Sequence, residues 1–469
     1  MTAIVIILAL VGLVWGTIAA TRGNLLLGCV GLLVVTSTFG VNFLQFDVGP
    51  ITLSLDRLAI VGLVAAFALQ WKAGRVRVRP WMTLDTVMAV FFGVLILNTF
   101  AHDWRTTAPG QVPVVQHLIQ GYLIPLTVYF IARNLKYGEK EIDWFLMALT
   151  AFGVYLAVIG ILEGLGLYGF VFPRYIADPE LGLHFGRARG PMVQSVSYGV
   201  YLCGCLLAAC LLWWRSSKQT HLLILSLIPL FLAAIFFTKT RTVWAGGGLS
   251  LMAAIFLTMR GKPRTVLITG MVACGLLAVV GKSDAIMGLK REGTAQDTRR
   301  SVRMRASFTY VSWQMFQDKP VFGHGFSQFK KAKLPYLADR NTDLILEFIR
   351  DYDHHNTFLS ILTDLGLAGL IPFLTMYALW LRNAWRLARG QLPPWAKGVG
   401  TLGVGMIVIA SIQMIGHEIT FTPIDHLLIF LVAGMNAALA YDFQLVGRPQ
   451  RVAASPSWPT RPVQGSPLP

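Results

Sequence analysis

The sequence has little charge. Only 13% of its 469 residues are Asp, Glu, Lys or Arg, against roughly 25% in a soluble domain, while 55% are hydrophobic. That composition excludes a conventional water-soluble fold. Acidic residues are scarcest, with 23 Asp and Glu facing 40 Lys and Arg for a net charge of +17. Cysteine is scarce too, and Cys29, Cys203, Cys205, Cys210 and Cys274 are odd in number and lie inside apolar runs. A disulfide-stapled secreted domain is thereby excluded, and the cysteines read as small packing residues.

What the chain has instead is long apolar runs. A hydrocarbon core about 30 Å thick needs roughly 20 apolar residues per helical span. Thirteen runs qualify: 3–20, 24–44, 52–71, 82–100, 113–132, 143–165, 192–213, 221–238, 242–258, 264–281, 356–381, 398–416 and 423–441. The expected fold is therefore all-α, a polytopic bundle of about 12–13 transmembrane helices.

Basic residues sort by connection. Arg22 follows the first span, Lys72 to Arg79 the third, and Arg133, Lys136 and Lys140 the fifth. Arg215 and Lys218, Arg260 to Arg264, Arg382 to Lys397, and Arg448 with Arg451 follow the seventh, ninth, eleventh and last. Because cytoplasmic loops retain positive charge, every odd connection is expected inside and the N-terminus outside. Spread over short loops beside an anionic leaflet, the +17 needs no nucleic acid partner. The tail 443–469, rich in Pro, Ser and Arg, is expected to be disordered in the cytoplasm. The organisation read from these features is 1–191, N-terminal spans and an outer loop; 192–281, central spans; 282–355, a large outer loop; 356–442, C-terminal spans; and 443–469, the tail.

Ionisable residues that the inside rule does not explain gather at the outer ends of spans. They include Asp56, Arg57, Glu163, Lys239, Arg241, His417, Glu418, Asp425 and His426. Such residues mark polar cavities, since charge in hydrocarbon is costly. Two outer connections are also long, Gly166 to Pro191 and Lys282 to His355. In the larger one Met304, Phe308, Val311 and Met315 recur at helical spacing, so Ser301 to Gln317 is expected to be an amphipathic surface helix. A turn at Lys319 to Gly325 and a second helical stretch near Asp343 to Arg350 follow.

The string DYDHHNTFLSILTDLGLAGLIPF then carries a countable pattern: His355 and Asn356, nine residues, Gly366, two residues, Gly369. With its large loop the chain resembles the bacterial O-antigen ligases and their polymerase relatives. The resemblance covers roughly Gly182 to Leu381. Arg305, fifteen residues before Pro320, resembles the family's loop arginine, with Arg303 as runner-up. In FTKTRTVWAGGG, Arg241 resembles a further family arginine, and Lys239 stands where a small polar residue is usual.

The resemblance implies a metal-independent glycosyltransferase without a cofactor in the bacterial inner membrane, its site on the periplasmic side. It would move a glycan from an undecaprenyl diphosphate carrier to lipid A core, or, in a polymerase, to a second lipid-linked glycan. A histidine titrates near neutral pH, which fits His355 as the base. Arginine matches phosphate geometry, which fits Arg241, Arg305, Arg303, and Arg187 and Arg189 of GRARGPM for the diphosphate. Asn356, His354 and Lys239 are secondary candidates. Structural readings stand beside these: a boundary histidine with Asn356 as helix cap, a snorkelling Arg241, and an Arg305 that touches phospholipid. Asp351 and Asp353 imitate a nucleotide-sugar metal site, but their loop is expected outside, so no metal is assigned. Gly281, Lys282 and Ser283 imitate a phosphate loop with the wrong spacing. A transporter of lipid-linked sugars is the more distant alternative, and it lacks repeated halves.

Overall fold

In a computed structural model of the chain, residues 21–446 are described apart from 41, 44, 49–50, 106–111, 217, 281–294 and 422. The first expected span (3–20), the string Gly281 to Ser283, and the tail beyond residue 446 lie outside the described residues. The other twelve runs are all helical. They form α1 Leu25–Thr38, α2 Leu55–Lys72, α3 Thr83–Ala101, α4 Val114–Asn134, α5 Glu139–Gly164, α6 Ser195–Arg215, α7 Lys218–Phe237, α8 Arg241–Thr258 and α9 Lys262–Val280. After the large loop, which contains α10 Ala295–Asp318, come α11 Thr357–Arg389, α12 Pro394–Gly416 and α13 Pro423–Asp442.

Eight of these helices are long and apolar enough to cross a membrane, so the chain is a multi-pass membrane protein. The strands described are two short ones, an antiparallel hairpin of Gln45–Val48 and Ile51–Ser54. α1 has 14 residues, fewer than the run expected at 24–44, and the second strand takes up the first residues of the run expected at 52–71.

The interior is built on α6, α12 and α13. Their apolar windows are 94%, 78% and 89% buried, against 22% for the peripheral α7. Small residues make this possible, since apolar side chains gain nothing by leaving lipid and close backbone approach must supply the attraction. Gly400 of α12 lies so near α11 that a Cβ would come 2.5 Å from the Ala388 amide nitrogen. Four cysteines are buried in this packing as expected, whereas Cys274 on α9 is exposed.

The large loop has its own small core. Phe308, Val311 and Met315 of α10 are buried against Phe329, Leu337, Leu346 and Ile349, with Met304 packed alongside. The amphipathic helix is therefore real and longer than its expected range, but its apolar face covers the rest of the loop. The second stretch, near Asp343 to Arg350, is a single 3-10 turn, Leu346–Ile349, too short to bury a helical face of its own.

The connections sort to two ends of the bundle. At the loop end, the Ala188 amide donates to Phe237 O (2.9 Å), Asn98 Nδ2 to Phe322 O (2.8 Å) and the Thr357 hydroxyl to His417 O (3.0 Å). At the basic end Arg79 pairs with Asp442 (2.7 Å), Arg133 with Asp85 (2.5 Å) and Arg215 with Asp143 (2.7 Å).

Candidate functional site

Four separate stretches meet at the loop end. α11 opens with Asn356 as its N-cap: Oδ1 accepts from the Leu359 amide (2.9 Å) while Nδ2 donates to Ile415 O (2.9 Å). An N-cap side chain satisfies an amide that the first turn leaves orphaned, and this one also ties α11 to the end of α12. Thr357 completes the clamp, donating to His417 O and accepting from the Ile419 amide (3.2 Å). Asn356 thus holds the site together.

His355, just before the cap, is half-buried and stacks on Phe308 of α10, ring centroids 5.1 Å apart. Its Nδ1 lies 3.1 Å from Asp353 O. A carbonyl only accepts, so Nδ1 carries the hydrogen, which leaves Nε2 as the nitrogen that can offer a lone pair. Behind it, the buried Lys333 donates to Tyr352 O and sits 4.8 Å over the Phe329 ring. His354 points the other way. It is buried against Phe329, and its Nε2 donates to the Thr363 hydroxyl (2.8 Å), whose own hydrogen goes to a helix carbonyl. Burial, then the charge of Lys333, holds the His354 imidazole well below the ordinary histidine range.

His417, at the end of α12, is where the cations converge. Burial pushes its pKa down to about 3, and the charges of Arg305 and Arg187, with the imidazoles of His355 and His184, add to the effect. His355 and Arg305 come from the large loop and His184 and Arg187 from the Gly166 to Pro191 connection, so both connections come within electrostatic reach of His417. Arg241 joins the same end through Thr242, whose side chain would meet a Cβ on Gly416 at 2.9 Å. Arg305 and Arg241 are exposed and Arg187 is half-buried. Arg303 is also exposed, but it lies about 200° around α10 from Arg305 and is not among the groups acting on His417.

The two arginines of GRARGPM diverge. Arg189 is fully buried, its guanidinium donating to Leu181 O (2.6 Å), Ile176 O (2.9 Å) and Asp178 O (3.1 Å). Glu163 Oε2 accepts the Arg189 and Gly190 amides at 3.0 and 2.6 Å. Arg189 therefore folds the loop and is withdrawn from any ligand, unlike Arg187. Lys239 has a related task. It takes up a left-handed φ of 48° and donates from Nζ to Gly186 O (3.1 Å), fastening the Arg187 loop to the turn before Arg241.

Two residues gain importance beyond their place among the outer charges. His417 is the hub of the cluster. Glu418 is buried behind it, where Oε1 accepts from the Thr420 hydroxyl (2.5 Å) and amide (3.2 Å) and burial raises the carboxyl to about 7. A single His-Glu pair in a short connection has no spacing signal, so only the packing of α11 on α12 exposes its role. A cavity of about 580 Å³ at the same end, lined by His102, Asp103, Asp318, His324 and Tyr336, contains none of the sequence-predicted site residues.

These features define a multi-pass membrane protein with a histidine and several arginines collected where a large loop folds onto its helices. Residues 224–374 match the family model described as O-antigen ligase, and this stretch of the chain belongs to the O-antigen ligase family. The match spans α7 to the first half of α11 and includes Arg241, Arg303, Arg305, His355 and Gly366. No curated protein matches the chain.

Proposed function

We propose that the protein is a membrane glycosyltransferase that moves a glycan from an undecaprenyl diphosphate carrier to an acceptor hydroxyl on the periplasmic face of the inner membrane. The acceptor in this reading is lipid A core, which makes the protein an O-antigen ligase. The carrying observation is geometric: His355 stacks on Phe308 of the helix that bears Arg305, the adjacent Thr357 donates to His417 O, and Arg241 opens the helix whose Thr242 faces Gly416.

In the proposed reaction Nε2 of His355 takes the proton from the acceptor hydroxyl as its oxygen attacks the anomeric carbon. The bond from that carbon to the carrier's phosphate oxygen breaks, and its electron pair leaves with the diphosphate. Arg241, Arg305 and Arg187 neutralise the charge that develops there, fixed donors being most effective where water is excluded. His417, held neutral by burial first and then by the charge of Arg305 and Arg187, is suited to donate or accept a hydrogen bond without adding charge.

The decisive experiment is transfer of a native undecaprenyl-linked glycan by purified protein in lipid, wild type against His355→Ala, with lipid A core or with no added acceptor. Product on the core that disappears in the folded variant is the expected result. Lengthened chains without core would make the protein a polymerase, and a fully active variant would remove His355 from the reaction. Cysteine labelling of residues 303–355 from the cytoplasmic side only would overturn the assigned sidedness.

A further inference from the structure

The opposite end of the bundle holds a cleft of about 730 Å³ that the proposed chemistry does not use. Its walls come from five places in the chain: the start of α1, the end of α2 with the connection after it, the end of α4, the start of α5 and the end of α13. Five cations line it, Arg22, Arg75, Arg77, Arg79 and Lys136, against two carboxylates, Glu141 and Asp442.

The walls are held by side chains already engaged. Arg79 is forked onto Asp442 through Nε (3.1 Å) and Nη2 (2.7 Å) and also donates to Leu135 O (2.8 Å). Gln70 Nε2 donates to Gly23 O (2.9 Å), Asn134 Oδ1 accepts the Arg79 amide (2.7 Å), and Glu141 Oε2 accepts the Gly138 amide (3.0 Å). With Asp442 neutralising Arg79, the charge of Arg22, Arg75, Arg77 and Lys136 is opposed only by Glu141. All four are exposed, and none takes part in an ion pair among the described residues. Arg75 also donates to Thr21 O (2.7 Å).

A second observation sets the depth of this cleft. Trp71, Trp81 and Trp144, which stand at the margins of the apolar stretches at this end, are 55%, 64% and 60% exposed. Exposed tryptophans at helix ends settle at the level of lipid headgroups. The cleft therefore opens at the depth where phosphodiesters lie, and four exposed cations match that charge.

We propose that this cleft binds a phosphate-bearing anion, and that its depth makes the headgroup of an anionic phospholipid the source. The site lies at the other end of the helices from His355, so it stands or falls independently of the glycosyl transfer.

The test uses the full chain in detergent, titrated with phosphatidylglycerol or phosphatidylcholine, with retained lipid counted by native mass spectrometry. Wild-type protein is expected to retain phosphatidylglycerol preferentially. The triple variant Arg22→Gln, Arg77→Gln, Lys136→Gln is expected to lose that retention by about ten-fold or more, with phosphatidylcholine unchanged. A control, Arg260→Gln, Lys262→Gln, Arg264→Gln, removes three cations from another connection at the same end and is expected to keep the wild-type preference. Equal loss in both variants would reduce the effect to general surface charge and overturn the site. Displacement of the lipid by millimolar inorganic phosphate would overturn the lipid as source, and an unchanged triple variant would overturn the cleft itself.

Discussion

The two ends of the helical bundle use arginine in opposite ways. At the basic end Arg79, Arg133 and Arg215 are paired with carboxylates on neighbouring helices. At the loop end the charges of Arg305 and Arg187 reach the buried imidazole of His417 and help to hold its pKa down. The same residue type therefore serves as a structural clasp in one place and as a concentrated positive field in the other. GRARGPM shows both uses two residues apart, Arg187 in the field and Arg189 in a buried clasp.

The sharpest way to break this comparison is at His355. His355→Ala is expected to lower the turnover of glycan transfer by about 100- to 10,000-fold, the range for loss of a general base, with an unchanged melting curve. Arg305→Ala and Arg241→Ala should each cost about 100-fold in kcat/KM, partly restored by Lys, while Arg303→Ala stays near wild type. At the basic end the effect should appear in stability instead. Arg133→Met leaves Asp85 buried without its partner, a loss of about 3–5 kcal/mol, seen as a lower melting temperature with transfer per folded molecule retained. If Arg133→Met abolished transfer in a fully folded protein, the division between the ends would fail.

The smallest expected effect concerns Glu418. Burial raises its folded pKa from the ordinary 4.5 to about 7, so the folded state keeps a proton that the unfolded chain releases. Its contribution to stability is then full below about pH 4.5, declines from there to about pH 7, and is absent above that. The change amounts to at most about 3 kcal/mol. Wild type should melt higher at pH 5 than at pH 8, and Glu418→Gln, which keeps the acceptor oxygen, should narrow the gap.

Much of this fold was legible in hydropathy, because lipid demands long apolar runs whatever their packing. Helix ends were less so: the run 356–381 becomes Thr357–Arg389, since Arg382, Arg386 and Arg389 continue the helix beyond the apolar layer. The cap at Asn356 and the face of α10 were readable from local spacing alone. Arg189 and Arg187 were not separable, because a buried arginine announces itself only through carbonyls brought from residues 176–181. Lys239 and His354 were likewise placed by loop packing that has no period in the chain.

The signature counted from His355 to Gly366 acquires a physical meaning at its far end. Gly366 breaks α11 with φ 63° and ψ −159°, and a Cβ there would collide with the Val321 carbonyl of the glycine turn. On the far side of the break the Leu367 and Ala368 amides donate to Pro320 O (2.9 Å) and Val321 O (3.0 Å). The nine residues between thus form a separate helical rod, about 14 Å long, with the histidine at one end and an anchored joint at the other. Its length works as a gauge block. One alanine inserted between Thr357 and Leu365 would turn His355 by about 100° and shift it about 1.5 Å relative to the joint, taking the imidazole off Phe308 while every side chain of the signature is still present.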